Sequence, residues 1–232
     1  MLLAPLDPPL PQSRDRSPWL VCALVAIGIC TLAAALVAVL VPGVRPVLLH
    51  EDGIIEMASV VCLAMAALGA GSATAIWGFR LPLLLAGLIA FAELLDEISF
   101  GSRIFGFQPP ALYGGGELDG FHDLLILVYR LLRDVNPALG WAWAGLILVA
   151  SLGIMLFVLS QLRNGIRDKR SWLTDHVLIF LHIGFIGLAQ VIDVATTSSA
   201  LSAVEEAFEF NASLALVFYI AQQVHRAWTE SR

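Results

Sequence analysis

"LPLLLAGLIAFAELLDEISFGSR", residues 81–103, begins with twelve residues that carry no charge and ends with three carboxylates, two serines and an arginine. A segment this apolar reads as a helix in hydrocarbon, and its polar end reads as the place where that helix reaches water or a polar pocket. The same grammar recurs along the chain. Of the 232 residues, 59% are hydrophobic and 14% charged, with a mean hydropathy of +0.84, a composition foreign to soluble domains. This is the composition of a membrane protein.

A hydrocarbon core of about 30 Å requires roughly 20 mainly apolar residues per helical span. Such stretches occur at about 18–42, 54–78, 81–97, 139–162, 173–195 and 204–226. The expected fold is therefore an all-α, polytopic transmembrane bundle of six spans forming one domain over residues 18–228. Residues 1–17, with Pro5, Pro8, Pro9 and Pro11, read as a disordered arm. A seventh apolar segment, "FHDLLILVYRLLRD" at 121–134, is too short to span and carries Arg130 and Arg133, so it reads as an interfacial or half-inserted helix.

Charge in the loops gives an orientation, because basic residues favour the cytoplasmic side. With six spans and both termini cytoplasmic, Arg14, Arg16, Arg80, Arg163, Arg167, Lys169, Arg170, Arg226 and Arg232 fall inside. Only Arg45, Arg103, Arg130 and Arg133 fall outside. A net charge of −6 argues against a nucleic-acid partner. Cys22, Cys30 and Cys62 lie in apolar segments without metal-ligand spacing.

The acids then sort to the extracytoplasmic side. Glu51, Asp52 and Glu56 open the second span, Glu93, Asp96 and Glu97 close the third, and Glu205, Glu206 and Glu209 open the sixth. Glu117, Asp119 and Asp123 lie between, and Asp193 nears the end of the fifth span. At about 100° per residue, Glu93, Asp96, Glu97 and Phe100 share a helix face that Arg103 continues if the helix persists. An ionisable group inside an apolar helix costs roughly 2.5–3.5 kcal/mol on insertion scales, so these stripes are expected to converge on a cavity. The first and fourth spans carry no charge and are expected at the periphery.

A net-negative site implies either protonated carboxyls or a divalent cation, identity open. The expected metal set is Glu93, Asp96, Glu97, His122 and Glu209. Glu93, Glu97, Arg103 and His122 are the catalytic candidates, and Arg103, Ser99 and Glu56 are the substrate-binding candidates. Arg103 suits a phosphate or carboxylate headgroup. Arg130 and Arg133, with His50 and His122, are further candidates for countercharge. In "GFQPPALYGGGELDGFHD" the two prolines stiffen one end while Gly114, Gly115 and Gly116 read as a hinge for a lid. His182, inside the fifth span, has two readings. It is either part of a polar stripe with Asp175, Gln190 and Asp193, or a buried histidine satisfied by a neighbour. Asn211, in "NAS", falls inside a span and is not read as a glycosylation acceptor. The small residues of "GAGSA" (69–73) and "GLIA" (87–90) allow close helix contact.

"ELLDEISFGSRIFGF", followed by "GELDGFHD" and preceded by "EDGIIE", resembles an uncharacterised family of bacterial multi-pass membrane proteins over roughly residues 50–125, which implies the bacterial inner membrane as the location. The sequence is similar, more faintly, to the alkaline ceramidase type of membrane hydrolase, which implies a metal site of Ser, Asp and His. It departs from that type in having six spans rather than seven and in placing His176 and His182 six residues apart.

Three function classes stand open. The first is a divalent-metal-dependent hydrolase or transferase acting on a membrane lipid or lipid-linked substrate. The alternatives are a non-catalytic membrane subunit or assembly factor and a proton- or cation-coupled transporter.

Overall fold

The apolar runs fold as helices throughout the computed structural model, which describes residues 18–41, 43, 53–118, 120, 123–163, 175–195 and 199–231. The proposed arm at 1–17 and Arg45, His50, Glu51, Asp52, Asp119, His122, Arg167, Lys169 and Arg170 lie outside them, as does the side chain of Arg103. The long helices are α1 (Pro18–Leu40), α2 (Ile54–Trp77) and α3 (Leu81–Glu97). A 3-10 turn (Ser99–Gly101) and the four-residue α4 (Ser102–Phe105) follow. Then come α5 (Asp123–Val135), α6 (Pro137–Arg163), α7 (Val177–Ala195) and α8 (Ser199–Glu230). Among the described residues the only bridge between extended segments joins Ala111 to Glu117.

Three helices, α1, α2 and α6, are by themselves long and apolar enough to cross a membrane. The other expected spans miss that standard for visible reasons. Helix α3 has 17 residues, the apolar part of α7 runs from Val177 to Asp193, and α8 mixes its apolar residues with Glu205, Glu206 and Glu209.

Helix α8 is the centre of the bundle, packing on α7, α2, α1 and α3, while α2 packs on α3 and α6 on α7. At about 1.5 Å per residue its 32 residues extend about 48 Å, well past a 30 Å hydrocarbon layer. Helices α1 and α6, whose apolar windows carry no charge, sit at the edges, each with only 17% of that window buried, against 33% for α2.

Large apolar side chains point outward and small ones inward. Val21, Val25, Ile29, Leu32 and Leu36 form an exposed stripe along α1, and Leu146, Val149, Leu152 and Leu156 form another on α6. The interior of α2, α3 and α8 instead holds Ala66, Ala70, Ala73, Ala86, Ala90, Ala212 and Ala215. Lipid solvates apolar surface as well as a protein core does, so helices gain by close backbone approach rather than by hiding leucine. The two small-residue stretches meet each other: a Cβ on Gly87 would come within 2.7 Å of Ala70 Cβ. Between α6 and α7 a Cβ on Gly187 would strike Ser151 Oγ.

Opposite charges tie down one end of the bundle. Arg80, just before α3, pairs with Glu230, and Arg226 pairs with Asp175. Thus Asp175 serves that end and is not part of a polar stripe with His182.

Replacing Gly87 by leucine should force α2 and α3 apart and lower stability by about 1–3 kcal/mol, the usual cost of overpacking. The denaturation midpoint in mild detergent measures it; replacing the exposed Leu88 by alanine is the control and should change it little.

Candidate functional site

Helix α3 brings Glu93 to a point where α7 can reach it across α8. The imidazole of His182, 3% exposed, lies between two acceptors on different helices. Its Nδ1 is 3.1 Å from the carbonyl oxygen of Ala212, and its Nε2 is 2.9 Å from Glu93 Oε1. A carbonyl oxygen only accepts, so Nδ1 carries a proton and donates it to Ala212. At Nε2 there are then two forms: an imidazolium facing a carboxylate, or a neutral ring accepting from the protonated acid. One proton lies between Glu93 and His182 in both. This is the buried histidine satisfied by a neighbour, and the neighbour is the carboxylate that sequence singled out.

Around this pair the carboxylates converge. Glu97, at the end of α3, lies where the charges of Glu56, Glu206, Asp96 and Glu93 act on it. Three helices, α2, α3 and α8, therefore deliver acids to one place. Glu206, rather than Glu209, is the α8 acid whose charge acts on Glu97, while the Glu209 carbonyl accepts the Ser213 hydroxyl. The substrate-binding candidates Glu56 and Ser99 are buried at 8% and 4%.

The helix does not persist to Arg103. It stops at Glu97, and Ser99 and Phe100 adopt φ of 49° and 50°, followed by Gly101 at 89°. Left-handed backbone at two side-chain-bearing residues costs about 1–3 kcal/mol each and is held by its surroundings. Here the amide of Gly101 bonds the Ile98 carbonyl, and Ser99, Gly101 and Ser102 are buried. Arg103 consequently sits on the separate helix α4 and does not extend the Glu93 face.

The glycine-rich loop is a pinned hairpin rather than a hinge. Gly114, Gly115 and Gly116 all have positive φ, at 83°, 107° and 86°, the conformations a tight reversal demands. Leu112 N bonds Gly116 O at 3.0 Å and Leu118 N bonds Pro110 O at 2.7 Å. Arg130, expected to offset the acids, donates instead to the carbonyls of Tyr113 and Gly115. The Tyr113 phenol donates to Asp134, which raises its pKa above the ordinary value. Arg133 lies over the Tyr129 ring, 5.6 Å from its centroid, so it too is engaged away from the acids. On α5 the opposite face exposes Leu124, Val128, Leu131 and Val135, the pattern of a helix lying in the membrane surface.

Of the expected metal set, Glu93 is engaged by His182, Asp96 is among the acids whose charge acts on Glu97, Glu209 is not among those acids, and His122 lies outside the described residues. Among the described residues no group of three His, Cys, Asp or Glu converges closely enough to hold a metal ion. Asn211 is 2% exposed and donates to Thr31 Oγ1 at 2.8 Å, so its side chain serves the interior of the bundle. Comparison with protein families, curated proteins and solved structures finds no match to this chain.

His182 and Glu206 are the site residues that sequence reasoning left out. His182 had no signal pointing to Glu93, 89 positions away. Only the crossing of α3 and α7 over the same stretch of α8 brings them together.

Two outcomes follow. His182→Leu takes the imidazole partner from the Glu93 carboxylate and should cost about 1–3 kcal/mol in detergent denaturation, whereas Glu93→Gln, whose amide still donates to Nε2, should cost less. Arg130→Ala should speed amide exchange at residues 112–118 and leave α2, α3 and α8 unchanged, as mass-spectrometric exchange would report.

Proposed function

We propose that the chain is a six-span protein of the bacterial inner membrane, with both termini cytoplasmic and the acidic end outside. In this reading the acidic end performs acid–base chemistry on a lipid or lipid-linked substrate, as a hydrolase or transferase. The observation that carries it is the 2.9 Å contact between Glu93 and the buried His182, beside other acids whose charges act on Glu97.

Glu93 is 21% exposed, so it remains open toward the cluster while His182 is sealed. It is the group that takes a proton from a water or a substrate hydroxyl and returns one to the leaving group. His182 is a positioning residue: it fixes the carboxylate and offsets its charge, and its own bond to Ala212 keeps the ring from turning. Glu97, on which the charges of four other acids act, is suited to meet a cationic part of the substrate. Arg103 keeps the proposed role of headgroup binding, since α4 starts directly beyond the cluster.

Toward the other end, Leu63, Ala66, Ala70, Leu83, Ala86 and Leu216 close the interior with apolar atoms. A proton or cation pathway would need polar groups there. The seal therefore favours an enclosed site over transport. A divalent ion enters this reading only if His122 completes a set with Glu97 and its neighbours, which metal analysis of the purified protein answers directly.

Lipid profiles of cells producing wild type or Glu93→Gln at equal levels test the proposal. At least one lipid or lipid-linked species should change in wild-type cells and not in the variant. Identical profiles would sink the catalytic reading.

A further inference from the structure

We draw no further inference here: the strongest candidate, the apolar groove of about 270 Å³ between α1, α2 and α8 at the acidic end of the bundle, carries nothing, because nothing among the described residues shows what covers it.

Discussion

A histidine buried at 3% exposure in a membrane-spanning bundle must spend both ring nitrogens on protein, and this requirement organises the acidic end. Ala212 supplies one acceptor from the backbone of the central helix, and Glu93 supplies the other from α3. Three helices are thus located relative to one another by two hydrogen bonds. Ala212 and Ala215, both fully buried, keep this stretch of α8 close to the helices around it. The small-residue packing that holds the bundle together and the polar pair at its site are one device.

The same economy explains the shape of the surroundings. Because lipid accepts large apolar side chains, the protein turns many of its leucines and valines outward and sets alanines beside a few leucines in the contacts between helices. Gaps between helices then survive wherever two of them share a third without meeting, as α1 and α2 do on α8.

Much of this was legible in the sequence. Apolar runs without charge gave helices, and the absence of charge from residues 18–42 and 139–162 gave their place at the edge, because a helix that lines a polar centre needs polar groups on one face. Helical periodicity also put Glu56, Glu93, Asp96, Glu97 and Glu206 on faces able to converge. The partner of Glu93 was not legible, since tertiary crossing rather than spacing decides which helix faces which. Nor were the roles of Arg130 and the three glycines. A basic residue is read by its charge, yet Arg130 is used here as a fork of donors for two hairpin carbonyls, and glycine triplets serve rigid reversals as readily as hinges.

The turn after Glu97 shows why the local reading failed where it did. Nothing in "EISFG" forbids another helical turn, and the helix could have continued through Ser99 and Phe100 at no intrinsic cost. Continuing would have kept Arg103 on the α3 axis, moving the guanidinium beyond the acids at about 1.5 Å per residue. The left-handed Ser99, Phe100 and Gly101 instead fold the chain back and bury Ser99 and Ser102 at the end of α3. Strain of this kind survives where packing and hydrogen bonds outweigh it. It falls immediately after Glu97, the carboxylate on which the charges of Glu56 and Glu206 act, so the chain turns away just where α3 has delivered its last acid.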